Sequence, residues 1–512
     1  MRNQGLGSWP RRRARIGADD VAIVHDDEGL TYGDLDRRVR RLANALASSG
    51  VARGDRVAYL GPNHPAFVET LFAAGLLGAV FVPLNTRLAP RELAYMLRDA
   101  QVHTLVTDAR LDDLTRPLLA QAPVAHHLVV GAATPDARDF EAALAGGHDA
   151  VVDEPVTLDD LAMIMYTSGT TGEPKGVMLT HGNLAWNTYN VLIDVDVSTD
   201  EVTLVSAPLF HTAALNQTFL PTFVKGGTSV LVGAFDPAAT LDLIARHRVT
   251  WMFGVPAMFQ ALTRVPGWED ADLSSVRAVE AGGAPVPEEL IRTYQARGLT
   301  FMQGYGMTEA SPGVLFLRAK DSLRKVGSAG TPCFFVDVDV VDAEGRSTAP
   351  GETGEVLVQG PNVMVGYWNK PDATAVALDD EGWFRSGDAA VRDDEGYLAI
   401  VDRMKDMFIS GGENVYPAEV ENALYEHPAV GEVAVVGVPD DRWGEVGRAY
   451  VVLREGHSLD LPELERYLDG RLARYKIPKS LVTVDALPRN ASGKLLKKEL
   501  RTTVTDADVS RS

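Results

Sequence analysis

Several groups of residues along this 512-residue chain have the types and spacing for chemistry on a phosphorylated ligand. The densest is the loop within Leu161–His181, LAMIMYTSGTTGEPKGVMLTH. Thr167, Ser168, Thr170 and Thr171 supply hydroxyls. Gly169, Gly172 and Gly176 let the backbone fold tightly enough to turn several N–H groups toward one anion, and Lys175 adds a mobile positive charge. The spacing departs from the common nucleotide-binding loop, because Pro174 stands where that loop needs its second glycine and neither Ser nor Thr follows Lys175. The apolar runs on either side read as strands. A strand, loop, strand arrangement would cradle phosphates without a helix dipole behind them.

Further along, FMQGYGMTEAS (Phe301 to Ser311) sets Tyr305, Thr308 and Glu309 among glycines at the end of an apolar run. If the ligand is ATP, Tyr305 can cover the adenine, Thr308 can bond a phosphate, and Glu309 can offer one carboxylate to magnesium. Gly282, Gly283 and Ala284 close the preceding strand, where small residues would let a planar ring or an acyl chain approach the backbone. His211 follows another strand in LFH; Asp388 lies in FRSGD, Arg403 and Lys405 in DRMKD, and Lys494 in PRNASGKLLKKEL. Taken singly, an aspartate after glycine is a turn residue, a charged run is solvated surface and a late lysine is a solvent charge. Their order along the chain gives them weight.

A chain of this length exceeds what one core usually serves, so at least two domains are expected. With 46% hydrophobic and 23% charged residues the composition is that of an ordinary globular protein. The formal charge of -21, from 49 basic and 70 acidic residues, argues against nucleic acid or an anionic membrane surface as main partner. Any site for an anion must therefore be locally basic. Cys333 is the only cysteine, which excludes an intrachain disulfide and makes the reducing cytoplasm the expected compartment. Arg11, Arg12, Arg13 and Arg15 precede no apolar stretch of signal-peptide length. The longest apolar run, Leu71 to Val82, is too short to cross a bilayer and reads as a core helix leading into a strand.

From Leu30 to about Gln121 helical and strand patterns alternate, which predicts a largely parallel sheet covered by helices. The expected fold class is therefore α/β. Between Gly327 and Val401 the texture changes to short alternating strands with Gly, Asp and Glu at turns, predicting an antiparallel, barrel-like subdomain over 327–401. The last hundred or so residues read as strand, strand, helix, strand, enough for a small lid.

Together the motifs, in this order from Tyr166 to Lys494, resemble the signature of the adenylate-forming superfamily, which includes acyl-CoA synthetases, luciferases and peptide-synthetase adenylation domains. ISGGENVYPAEVE (Ile409 to Glu421) and RLARYKIPK (Arg471 to Lys479) are most similar to bacterial fatty-acyl-CoA synthetases and 4-coumarate-CoA ligases. The resemblance implies an N-terminal domain over 1–401 with two helix-covered sheets, a hinge at 402–406 pivoting on Lys405, and a mobile C-terminal lid over 407–512. It implies that Thr167 to Gly172, Lys175, Gly283, Ala284, Tyr305 and Gly306 bind the nucleotide, with Asp388 on the ribose and Arg403 alongside. Lys494, Thr308, Glu309 and His211 would be catalytic, Glu309 holding Mg²⁺ and His211 gating the acyl site. Gly411 and Gly412 would open the CoA path, while Ala214, Leu215, Gly282, Met307 and Val314 would line the acyl pocket.

What this implies is an ATP-dependent ligase. A carboxylic acid is first joined to AMP with loss of pyrophosphate, and the CoA thiol then displaces AMP. The implied partners are small molecules: the acid, ATP and CoA, with no nucleic acid and no integral membrane segment; a homodimer is compatible with this reading. The pocket residues are apolar and no arginine or lysine stands out for a second carboxylate, so the acid is hydrophobic: medium or long fatty, aryl or polycyclic. Departures from the pattern are few: Cys333, Phe334 and Phe335 replace a smaller turn, and Ser386 a frequent threonine. The alternatives are an adenylating enzyme loading a carrier-protein thiol, an enzyme performing one half-reaction, and a nucleotide-sensing protein without turnover. The last would be expected to lack one of Glu309, Asp388 and Lys494, all of which are present.

Overall fold

The computed structural model describes residues 2–502 except 132–136, 153, 168–173, 284–285, 404–405, 411–412, 441–442, 470, 473 and 490–494, with the backbone alone at 319, 402, 403, 413, 414 and 502. The chain forms two compact units, Met1–Val338 with Val358–Phe384, and Asp339–Leu357 with Arg385–Ser512. The strands expected over 327–401 thus fall mostly in the second unit.

The first unit contains two large sheets. In the eight-stranded sheet, Leu161–Thr167, Val80–Leu84, Arg56–Leu60, Val102–Asp108, His126–Val130 and Arg138–Asp139 run parallel in that order. Lys175–Thr180 and then Gly366–Tyr367 extend it antiparallel. The nine-stranded sheet has a parallel centre, Thr300–Gly306, Ala278–Ala281, Trp251–Gly254, Val202–Val205, Thr228–Leu231 and Val21–His25. Gly313–Leu317 and Thr331–Pro332 close one edge antiparallel, and Glu28–Thr31 the other. Such parallel centres need apolar strands and helical crossovers, which the alternating pattern supplies.

Helix boundaries follow local chemistry. Tyr32–Ser48 starts where the Thr31 side chain accepts from Asp34 N, and Leu35, Val39, Leu42 and Leu46 form its buried stripe. Pro65–Leu77 has nearly every side chain buried, begins with Pro65 at the first position and stops at Gly78 in the left-handed region. Beside the nine-stranded sheet, Phe259, Tyr294 and Phe301 pack edge to face, and Tyr294 Oη donates to Phe259 O at 2.8 Å.

In the second unit, Asp337–Val341, Thr353–Gln359, Phe384–Arg392 and Leu398–Arg403 form a four-stranded sheet, three of whose strands begin or end in the first unit. A further sheet joins Glu413–Val415, Phe408–Ser410, Gly444–Leu453 and Val430–Asp440, with Ser480–Thr483 parallel to Gly444–Leu453. The expected strand, strand, helix, strand order is present, but the helix is short, Leu461–Leu468, because Asp469 turns to extended backbone. Among the described residues no helix is long and apolar enough to cross a membrane.

Two histidines are absorbed by this scaffold. His181 Nδ1 accepts from Leu6 N at 3.2 Å, and His64 Nδ1 accepts from Ala66 N at 3.0 Å as a helix cap. Burial suppresses the imidazolium of each, bringing both pKa values down to about 4. Each is neutral when folded but protonates below about 6.5 when unfolded, so its contribution is complete above that pH and is lost as pH falls toward 4. His64→Asn keeps a capping side chain and removes one such group. Denaturant titrations at several pH values are expected to show about one proton fewer taken up on unfolding between pH 4 and 6.

Candidate active site

The strands Leu161–Thr167 and Lys175–Thr180 pair with Thr167 opposite Lys175, so both ends of the hydroxyl-rich loop stand side by side. Ser168, Gly169, Thr170, Thr171 and Gly172 lie outside the described residues. The hairpin is held from both sides. Tyr166 Oη donates to Asp99 Oδ2 at 2.6 Å, Trp368 Nε1 donates to Asp99 O at 2.9 Å, and Trp368 N donates to Gly176 O at 2.7 Å. A Cβ on Gly176 would lie 2.7 Å from Ile164 Cγ2 and 3.2 Å from Trp368 Cβ, so the close approach requires glycine.

The late strand Gly366–Tyr367 links this hairpin to the other motif. Lys175 Nζ sits 4.9 Å from the centre of the Tyr367 ring, and Tyr367 Oη donates to Glu309 Oε1 at 2.9 Å. Glu309 lies in the single turn Thr308–Ala310 after the strand Thr300–Gly306. That turn is clamped: Met364 N donates to Glu309 O at 2.7 Å, Met307 N to Pro312 O at 3.0 Å, and Asn362 Nδ2 to Ala310 O at 2.7 Å. A Cβ on Gly306 would come within 1.9 Å of Pro312 O, which is why the residue after Tyr305 is glycine. Tyr305, Met307, Thr308 and Glu309 are all partly exposed along this rim. Glu309 Oε2 has no partner among the described residues, which suits a carboxylate that is one of few protein ligands to magnesium. Among the described residues no group of three or more His, Cys, Asp or Glu converges as an all-protein metal cage.

The residues expected on the acyl side lie in the nine-stranded sheet, at its strand ends, or on the helix after Val202–Val205. His211 precedes a π-helix, Ala213–Phe219, which the sequence pattern does not announce. Its ring stands edge-on to Phe210 at 4.8 Å, and burial lowers its pKa to about 4, leaving a neutral imidazole at ordinary pH. Ala214, Leu215 and Val314 are buried. Gly282 ends the strand Ala278–Ala281, and a Cβ there would meet Gly304 O at 2.9 Å; Gly283 takes the left-handed backbone at φ 79°. Ala284 lies outside the described residues. Two residues before Gly282, Glu280 is fully enclosed, and burial drives its carboxyl up to about 8. Its one protein partner among the described residues is Gln217, whose Nε2 donates to Oε1 at 2.9 Å. Sequence reasoning passed over this residue, although a lone acid inside the apolar strand AVEA was a visible signal. It also missed Tyr367, Asn362 and Asp99, which act through neighbours distant in sequence.

In the second unit, Asp388 stands opposite Arg403 on adjacent antiparallel strands. Asp388 is buried, and its N donates to Ser386 Oγ at 3.0 Å while Ser386 Oγ donates to Val356 O at 2.7 Å. The serine that replaces a threonine therefore anchors the turn. Gly411 and Gly412 lie outside the described residues, between Ser410 and Glu413, which pair directly. Lys405 and Lys494 also lie outside the described residues, as does the Arg403 side chain.

Comparison with known proteins shows the family and the fold. The AMP-binding enzyme family matches residues 10–368, and the AMP-binding enzyme C-terminal domain matches 419–494. The chain is 54% identical to a feruloyl-CoA synthase of Amycolatopsis sp over 98% of its own length and 99% of the relative's. It is 44% identical to an indoleacetate–CoA ligase of Aromatoleum aromaticum, covering 97% of each. Among solved structures, o-succinylbenzoate CoA synthetase from Bacillus subtilis in complex with its acyl-adenylate intermediate superposes with a TM-score of 0.86 at 34% identity, over 98% of both chains. The same enzyme has been solved with ATP and magnesium ion. With the family matched across most of its length and relatives of this similarity spanning nearly all of it, the chain belongs to the AMP-binding, adenylate-forming enzyme family.

Proposed function

We propose that this protein is an AMP-forming carboxylic acid:CoA ligase acting on a hydrophobic, aromatic acid. The observation that carries the reading is the contact between motifs about 130 residues apart: Tyr367 bonds Glu309 and carries Lys175 over its ring. A phosphate loop and a single acidic metal ligand are what adenylation requires in one place. The aromatic preference is supported by the feruloyl and indoleacetate specificities named for the relatives.

In the first half-reaction an oxygen of the acid attacks the α-phosphorus of ATP and the bond to the β-phosphate oxygen breaks, releasing pyrophosphate. In the second, the CoA sulfur attacks the acyl carbon and AMP leaves. Both steps depend on positioning and charge neutralisation rather than on a protein nucleophile. Thr167 to Gly172 and Lys175 hold the phosphates, Tyr305 and Gly283 to Ala284 border the adenine, and Asp388 takes the ribose hydroxyls with Arg403 beside it. Magnesium, held by Glu309, would neutralise charge on the phosphate oxygens. His211, neutral and at the head of the π-helix, borders the acid without adding a charge to its carboxylate. Ala214, Leu215, Gly282, Met307 and Val314 line the apolar chamber. The second half-reaction needs another arrangement of the C-terminal part, with 402–406 as the hinge between 1–401 and 407–512, Lys405 as pivot, and Gly411 and Gly412 replacing Lys494 at the site. The lone cysteine supports a cytoplasmic location.

The direct test is mass spectrometry of a reaction containing the protein, Mg·ATP, CoA and a pooled panel of fatty, aryl and polycyclic acids. An aryl-CoA product is expected; adenylate without thioester would move the acceptor to a carrier protein, and no product would overturn the reading. Lys494→Ala is expected to slow adenylation by roughly 10² to 10³-fold, the scale for losing one transition-state donor. It should spare thioester formation from supplied acyl-adenylate, as followed by single-turnover kinetics. Tyr367→Phe removes the hydroxyl from Glu309 and keeps the ring under Lys175. We expect the Mg²⁺ concentration for half-maximal adenylation to rise several-fold, with little change in KM for the acid.

A further inference from the structure

The two strands that carry the hydroxyl-rich loop are thinly held by their sheet at the loop end. Between Thr167 and Lys175 the chain has seven residues, two of them glycine. On the inner side, Leu161–Thr167 registers with Val80–Leu84 through one described pair, Phe81 opposite Met163, three residues before Tyr166. On the outer side, Gly366–Tyr367 pairs with Met178 and Val177 and goes no further. Half of such a loop, extended, reaches ~10 Å beyond its roots, so a tilt of ~5° at the roots displaces its tip by ~1 Å. A displacement of ~1 Å can cost about 10²-fold in a reaction that depends on positioning.

Side chains take over where the ladder thins, and those of both strands end on one residue. From the incoming strand, Tyr166 Oη donates to Asp99 Oδ2 at 2.6 Å. Beside the outgoing strand, Trp368 N donates to Gly176 O at 2.7 Å and Trp368 Nε1 to Asp99 O at 2.9 Å. Asn369 Nδ2 donates to the same carbonyl at 3.2 Å. Burial first and the Asp99 carboxylate second hold the Tyr166 phenol well above its usual pKa, so the hydroxyl keeps the hydrogen that it donates.

Asp99 is held in its turn. It closes the helix Pro90–Asp99, whose Leu93, Ala94, Met96 and Leu97 are buried in the core of the eight-stranded sheet. Ala100 N donates to Met96 O at 2.9 Å, and Gln101 takes the left-handed backbone at φ 49°, which ends the helix. Arg56 Nη2 donates to Gln101 O at 2.8 Å and Arg56 Nη1 to Gly54 O at 2.8 Å, tying that end to the start of the strand Arg56–Leu60. An acid in the last turn faces the negative end of the helix dipole and is unfavourable to the helix itself. Its place there is explained by the bonds it receives from outside the helix.

We propose that Asp99 is a positioning residue for the phosphate loop: its carboxylate, through the Tyr166 hydroxyl, and its carbonyl, through Trp368, fix both roots of the loop and so set where the β- and γ-phosphates of ATP are held. The inference rests on the ligase reading above for the identity of the anion. Asp99 acts through Tyr166 and Trp368 rather than on a reactant. AMP lacks the two outer phosphates, so a displaced root weakens ATP and leaves AMP nearly unchanged, whereas a general loosening of the fold weakens both.

The test is equilibrium binding of Mg·ATP and of AMP to the full chain by calorimetry, with no acid present, so that nothing turns over. Asp99→Ala is expected to weaken Mg·ATP roughly 10-fold, the scale for losing one hydrogen bond to a charged group, and to leave AMP within about two-fold of the wild type. Tyr166→Phe keeps the ring in its packing and is expected to do the same; it carries the comparison if Asp99→Ala does not fold. The double variant should be no worse than either single one, because both remove the same bond. Asp99→Asn keeps an oxygen facing the phenol and should retain most of the affinity. In single turnovers Asp99→Ala and Tyr166→Phe should slow adenylation and spare thioester formation from supplied acyl-adenylate. Equal loss of ATP and AMP binding, no loss of either, or additive losses in the double variant overturns the assignment. Thioester formation by the wild type, with ATP binding unchanged in the variants, would sink this inference and leave the ligase reading intact. Selective loss of ATP binding, with a wild type that forms no thioester, would support the positioning role and overturn the ligase reading; no ATP binding by the wild type overturns both.

Discussion

The bond from the Tyr367 hydroxyl to Glu309 is the constraint on which the rest of the site depends. Tyr367 belongs to the edge of one large sheet, and Glu309 to the turn after a strand of the other. Where they touch, two frameworks that fold around separate cores acquire a common reference point. The cation of Lys175 against the same ring fixes the root of the phosphate loop relative to the carboxylate. Trp368, next in sequence, extends this alignment to Asp99 and Gly176. Three consecutive residues, Gly366 to Trp368, thus set the distance between the positive and negative halves of the site.

Burial sets the electrostatics elsewhere. The protein carries a large negative charge, yet its proposed substrates are polyanions. Along the proposed acyl side the chain would limit the mismatch by withholding charge: His211 is neutral through desolvation, and burial drives the Glu280 carboxyl up to about 8. In the proposed site, Lys175 and a cation held by Glu309 would then carry most of the positive charge facing the phosphates.

Much of this was legible in the sequence because the relevant physics is local. Alternating helical and strand periodicity gave the parallel sheets, and the apolar runs on either side of the hydroxyl and glycine loop gave the hairpin of Leu161–Thr167 and Lys175–Thr180. Strand ends at Gly282 and Gly306 lie where the punctuation by glycine places them. What escaped was non-local. Tyr367 and Asn362 matter because the chain returns late to the hairpin and the Glu309 turn, and no window around either residue contains its partner. The π-helix escaped because its apolar residues fit an α-helical stripe equally well. Glu280 was visible as an acid in an apolar strand, but its meaning depends on which atoms face it across the sheet.

The late return of the chain has a consequence for biosynthesis. Lys175–Thr180 receives its outer neighbour from Gly366–Tyr367, so on the ribosome that strand waits for nearly two hundred further residues with its edge open. An apolar strand held unpaired for that time can capture the same strand of another nascent chain. Glycine, lysine and proline at the start of this edge, Pro174 to Gly176, are poor partners for such pairing. The loop chemistry proposed to serve nucleotide binding in the finished enzyme would then also protect the growing polypeptide from its copies.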